Sequence, residues 1–241
     1  MSRDEDTFSE CDPNSINLSH ETDPGHLTST SEAFIERLPQ ALSYAANLDV
    51  GDHAILFYDN LVVAAEYFCA YIEEGIKRRE TTYVTGLPRD RYEKLFIQLG
   101  IKVAVLENCG YLRHIEIRNT PEHRQPIESR LRRTIESLLR ANLETEYRGK
   151  RFIILHQWPQ DHTCAQELVE FEKWLSTIPH PASVICCYDA RGVIDEANSN
   201  FFTRLLKVHG HCLFQGIGMP TNILLGDRLS PYPKLEAGRP R

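Results

Sequence analysis

The stretch GDHAILFYDNLVVAAEYFCAYIEEG, residues 51–75, decides the fold. HAILFY (53–58) is a short unbroken apolar run of strand character. After the turn Asp59-Asn60, Leu61, Ala65, Phe68, Ile72 and Ile76 fall along one helical stripe. Strand, sharp turn and apolar helix are the opening of a nucleotide-binding α/β chain. A phosphate loop, however, needs G-x-x-x-x-G-K-[ST], so that several backbone N–H groups wrap the anion and a lysine reaches the outer phosphates. After Tyr58 no glycine occurs before Gly75 and no lysine before Lys77, and Asp59 would repel an anion at the helix start. The strand RFIILH (151–156) ends in His156, where a magnesium-binding Asp would stand. Both deficits argue against ATP hydrolysis.

The same two kinds of segment alternate outward from this unit. TTYVTG (81–86) reads as a strand followed by a helix from Pro88 to Leu99. IKVAVL (101–106) and YLRHIEI (111–117) read as strands, and 127–142 as a helix. RFIILH is a strand, CAQELVEFEKWLSTI (164–178) a helix, SVICCYD (183–189) a strand, NFFTRLLKV (200–208) a helix and CLFQG (212–216) a closing strand. SEAFIERLPQALSYAANL (31–48) reads as an amphipathic helix interrupted by Pro39. Unbroken apolar strands alternating with helices imply a mainly parallel sheet covered on both faces, a three-layer doubly wound α/β domain over 31–216.

Composition bounds the partners. The net charge is −7, and residues 1–30 carry seven acids against Arg3 alone, a balance of −6, which leaves −1 to the other residues. The domain thus has no field to attract nucleic acid. Residues 31–48 supply barely one helix where a helix-turn-helix needs two, so direct nucleic-acid binding is not expected. Poor in aliphatics, 1–30 is expected to be a disordered acidic tail, and the Pro-rich end (217–241) a C-terminal tail. No apolar run is long enough to span a membrane, and no secretory signal opens the chain. Seven cysteines lie scattered without a C-x-x-C pair, which fits a reducing cytoplasm. Cys186 and Cys187 should point to opposite sheet faces.

In an open α/β sheet, ligands bind beyond the carboxyl ends of the strands. Those ends gather Tyr58, Asp59, Thr85, His156, Trp158, Tyr188 and Asp189. Aromatic walls with few polar groups suit a small organic ligand, and Tyr188→Ala is expected to remove a ligand response with the fold intact. His209-x-His211-Cys212 would put two imidazoles on one side if extended but lacks a convincing fourth ligand, so no metal or other cofactor is expected. Glu172 has two readings, facing the pocket or capping the solvent side. The mixed charges of 122–144, among them Glu122, Arg124 and Glu144, read as a solvated face. No nucleophile–base pair emerges, and no catalytic residue is assigned.

GDHAILFYDN, YIEEGIKRRETTYVTG, HQWPQ, ELVEFEKWLS and SVICCYDAR, in this order and spacing, resemble the MEDS domain. That is the sensory domain of methanogens and methylotrophs also found in a dichloromethane-responsive repressor, and the resemblance runs from about 48 to 216. It implies a relative of RecA and KaiC ATPases without the phosphate loop. It also implies a non-enzymatic sensor of small molecules, simple hydrocarbon derivatives among them, acting through a regulator or signalling partner or a homo-oligomeric interface. Carried over by motif, the site residues are His53, Phe57, Tyr58, Trp158, Glu172, Tyr188 and Asp189. Family members often carry an acid shortly before the Trp, where this chain has His156 and Gln157. His53 opens the first strand and Tyr58 closes it, ~16 Å apart at ~3.3 Å per residue, so one small ligand scarcely reaches both. His53 then has a structural reading, holding the preceding helix. The alternatives to a sensor are a nucleotide-binding ATPase relative and a structural oligomerisation module.

Overall fold

A computed structural model describes residues 42–117, 126–140, 149–159, 162–177, 182–193 and 198–214. The acidic and C-terminal tails, most of the 31–48 helix, and Glu122, Arg124 and Glu144 lie outside them; residues 42–46 are helical. β1 (His53–Tyr58) leads into α1 (Leu61–Lys77), β2 (Glu80–Thr85), α2 (Arg89–Gln98), α3 (Val103–Asn108), β3 (Leu112–Ile115) and α4 (Ile127–Arg140). There follow β4 (Gly149–His156), α5 (His162–Leu175), β5 (Ala182–Asp189), a 3-10 turn (Ala190–Val193), α6 (Ser199–Val208) and β6 (His211–Phe214).

The six strands form one sheet in the order β3-β2-β4-β5-β1-β6, every pairing parallel. Alternate side chains of each strand enter different cores. Ala54, Leu56, Val84, Ile153, Leu155, Ile185 and Cys187 pack with α1, α2 and α3. Ile55, Phe57, Phe152, Ile154, Val184, Cys186 and Tyr188 pack with α4, α5 and α6. With α1, α2 and α3 on one face of a parallel sheet and α4, α5 and α6 on the other, the fold is three-layered and doubly wound, and Cys186 and Cys187 do face opposite ways.

One expected strand is a helix. Within IKVAVL, Val103 and Leu106 are buried while Ala104 and Val105 are exposed, the spacing of α3 rather than the alternation of a strand. A six-residue apolar run carries too little periodicity to separate the two. Glu107 on α3 then takes a paired grip from Arg89 of α2 at 2.7 and 2.6 Å.

The turn after β1 shows why no anion cradle forms. Asn60 caps α1, its side-chain oxygen accepting from the Val62 N–H at 2.9 Å, so one of the amides an anion would need at the helix start is already taken. Across the sheet, Gly86 leaves β2 at φ +92°, and an added Cβ would sit 1.9 Å from the Leu155 carbonyl oxygen. Only glycine lets β2 exit so close to β4.

Near the amino ends of the strands lies a polar core that sequence patterning missed. The Arg151 guanidinium is wholly buried; it pairs with Glu80, donates to the carbonyls of Ala46 and Tyr71, and stands 4.4 Å from the Tyr71 ring centroid. Gly75 of α1 makes room for it, since a Cβ there would meet Arg151 Cδ at 2.9 Å.

Candidate functional site

Register brings the strand ends together. Tyr58 pairs with Asp189, Phe57 with Tyr188, and Tyr188 with His156, so the carboxyl ends of β1, β5 and β4 finish level. Trp158, just past β4, donates its indole N–H to the Asp189 carbonyl at 2.6 Å. Its ring lies against Phe57, Tyr188 and Phe201, at centroid distances of 6.5, 5.5 and 5.6 Å. The 3-10 turn closes over it: a Cβ on Gly192 would fall 2.0 Å from the indole nitrogen. Asp189 turns back to its own loop, accepting from the Arg191 backbone N–H at 2.9 Å and pairing with the Arg191 guanidinium, which holds its carboxyl below the ordinary value despite partial burial. Asp59 is exposed beside this edge. Tyr58 is half-buried, and burial, with Cys187 and Asp189 nearby, pushes its phenol well above the usual range.

Beneath the edge the predicted residues continue inward instead of lining an open cleft. Tyr188 and Phe57 are fully buried. The Tyr188 hydroxyl donates to Glu172, and His156 stacks on the Tyr188 ring at 5.0 Å and 17°. Glu172 on α5 is completely buried and points at the sheet, which discards the solvent-capping reading. It also brings a carboxylate to His156, whose Nε2 lies 3.3 Å from one Glu172 oxygen.

His53 joins the same residue from the other side. Its Nε2 stands 3.1 Å from Glu172 Oε2 and 3.3 Å from the Cys186 sulfur, and its Nδ1 meets the Ser176 hydroxyl at 3.0 Å. The expected anchor to the preceding helix is therefore replaced by one to the end of α5. Although His53 and Tyr188 sit at different levels of adjacent strands, Glu172 spans the gap with its two oxygens. Burial and the neighbouring His209 push the His53 pKa down to about 4, and burial lowers that of His156. Burial, reinforced by Glu172, raises Cys186 and Tyr188 far above their ordinary ranges.

The cluster is completed by His209, which sequence reasoning placed beside His211. A bend at Gly210 separates the two. His209 turns into the core, its Nε2 3.3 Å from Glu172 Oε2 and its ring centroid 4.1 Å from that of His53. His211 instead contacts Tyr44 and stands 3.4 Å from Asp52. Cys212 packs in the core without joining either group. A groove of about 470 Å3 on α4, lined by Arg130, Arg133, Thr134, Ser137 and Leu138, contains none of the residues of this site. No helix among the described residues is long and apolar enough to cross a membrane.

Comparison with known proteins agrees with the fold. A solved chain from Pyrococcus horikoshii OT3, described as a structural study, shares the fold with a TM-score of 0.52 at 14% identity, over 77% of this chain and 91% of that one. No curated protein matches the chain. The family described as MEDS, MEthanogen/methylotroph, DcmR Sensory domain, matches residues 52–209, from the turn before His53 through His209. The chain belongs to the MEDS family of sensory domains.

Proposed function

We propose that this sensory domain is non-catalytic, binds a small organic molecule at the carboxyl edge of its sheet, and reports occupancy to a partner protein or a second copy of itself. The ligand enters between Tyr58, Asp59, Trp158 and Asp189, and its apolar part meets the Phe57 and Tyr188 rings once the Ala190–Val193 turn lifts from the indole. The observation that carries this reading is the level finish of β1, β4 and β5 around Trp158. Parallel α/β sheets take ligands at that edge, and aromatic walls with few polar groups favour apolar organics over ions. The self-capped start of α1 speaks against a nucleotide there.

The test is a thermal-shift screen of small hydrocarbon derivatives against the full chain, with Mg-ATP as comparison. The chain holds two tryptophans, so in Trp174→Phe the fluorescence comes from Trp158 alone. A ligand that raises the midpoint by mass action and changes Trp158 emission supports the reading. Stabilisation by Mg-ATP, or hits that leave Trp158 emission unchanged, overturns it.

A further inference from the structure

At the amino-terminal side of the same core, four protein ligands converge from four separate elements. His53 comes from the start of β1, Cys186 from the middle of β5, Glu172 from α5, and His209 from the link between α6 and β6. All four are buried, and one donor atom from each lies within 4.8 Å of every other. His53 Nε2 stands 3.1 Å from Glu172 Oε2 and 3.3 Å from Cys186 Sγ, and His209 Nε2 stands 3.3 Å from Glu172 Oε2. A tetrahedral ion with N and O ligands at ~2.0–2.1 Å and S at ~2.3 Å sets its ligands about 3.3–3.6 Å apart. These three separations are already close to that spacing.

The hydrogen bonds around the cluster fix which atoms face inward. The Ser176 hydroxyl has one proton and two carbonyl neighbours, Val208 at 2.8 Å and Glu172 at 3.1 Å, so toward His53 it is an acceptor. His53 must therefore donate from Nδ1, leaving Nε2 as the inward lone pair. His209 likewise donates from Nδ1 to the Leu205 carbonyl at 2.8 Å, which leaves its Nε2 facing Glu172. Tyr188 occupies the other carboxylate oxygen. The result is two imidazole lone pairs and a carboxylate oxygen pointed at one another. Neither Glu172 Oε2 nor His209 Nε2 makes a hydrogen bond, although both are buried. An orphaned acceptor in such a place costs stability unless a cation takes it up. Imidazoles held by a carbonyl or hydroxyl through the remote nitrogen are also the arrangement that orients metal-binding histidines.

We propose that His53, Glu172, Cys186 and His209 bind one divalent transition-metal ion, with zinc the best fit, as a closed four-ligand structural centre. Two imidazoles, a thiolate and a carboxylate suit a borderline-soft ion and disfavour magnesium or calcium. On binding, the Cys186 thiol gives up its proton to solvent and its sulfur becomes a ligand. All four positions are filled by protein, so the ion holds β1, β5, α5 and the entry to β6 together and activates no water. Tyr188 positions Glu172 from the second carboxylate oxygen. Binding an organic molecule at the carboxyl edge is not required for the centre to form.

The full chain, expressed in zinc-supplemented medium and analysed for metal content, should carry about one zinc per chain. After unfolding with a chelator and refolding with Co2+, it should show tetrahedral cobalt absorption and a thiolate-to-cobalt charge-transfer band. Cys186→Ser should abolish that charge-transfer band, and Cys187→Ser, which changes the sulfur on the opposite face, should keep it. The wild-type measurement stands alone should a variant fail to fold. Protein that purifies without zinc and takes up no cobalt on refolding overturns the proposal, as does a charge-transfer band that survives Cys186→Ser.

Discussion

Tyr188 and Glu172 share one buried hydrogen bond, and through it the aromatic wall under the carboxyl edge is tied to the imidazoles of His53, His156 and His209. Tyr188→Phe keeps the ring against Trp158 and His156 and removes only the donor. A hydrogen bond to a charged group contributes about 1.5–3 kcal/mol, and Tyr188→Phe should lose about that much in urea unfolding while retaining native circular dichroism. A loss below ~0.5 kcal/mol would mean the carboxylate does not depend on this hydroxyl. The expectation that Tyr188→Ala leaves the fold intact does not survive its complete burial: truncating a buried aromatic costs about 3–5 kcal/mol, so an Ala variant confounds binding with stability.

Arg151 is the second buried charge whose partners are distant in the chain. Arg151→Ala strips Glu80 of its cation and leaves the Ala46 and Tyr71 carbonyls without this donor. Breaking a buried pair from one side costs about 3–5 kcal/mol, whereas replacing both members by apolar residues is often neutral. Arg151→Ala should therefore be strongly destabilised, with Arg151→Met/Glu80→Met recovering most of the loss in the same denaturant series. Equal losses in the single and double variants would show that the pair is not the source.

The layered fold was legible because β1, β4 and β5 are unbroken apolar runs and α1 keeps a clean helical stripe; IKVAVL misled because six residues hold less than two helical turns. The edge residues were legible from the rule that strand ends carry sites, and Tyr58, Trp158 and Asp189 do meet there. The polar core was not legible. His53 meets Cys186 across 133 positions and Arg151 meets Glu80 across 71, so no local spacing announces either pair. His209 was noticed for the wrong neighbour, since an H-x-H pattern assumes an extended backbone and Gly210 bends it.

Two glycines with nearly the same backbone angle separate strain from collision. Gly51 has φ +88° with nothing within 4 Å of an added Cβ; Gly86 has φ +92° with the Leu155 carbonyl oxygen 1.9 Å away. Gly51→Ala should cost only the left-handed strain of about 1–2 kcal/mol. Gly86→Ala must also push β2 away from β4 and should cost clearly more, to the point of poor soluble yield. Similar midpoints for the two variants in parallel urea titrations would refute the close approach of the strands.

Burial also sets the response to alkali. It raises the phenols of Tyr71 and Tyr92, against a nearby Arg151 in the first case and reinforced by Glu107 in the second. An unfolded tyrosine ionises near pH 10. The fold thus favours the protonated forms: their contribution is complete below about pH 10 and declines as pH rises beyond it toward the elevated folded values. Tyr71 and Tyr92 should ionise, together with the raised phenols of Tyr58 and Tyr188, in a steep late step that coincides with loss of far-ultraviolet circular dichroism. Phe replacement of Tyr71 and Tyr92 should reduce the amplitude of that step. Gradual ionisation of every tyrosine near the ordinary value, with the dichroism unchanged, would show that neither phenol is sealed in the core.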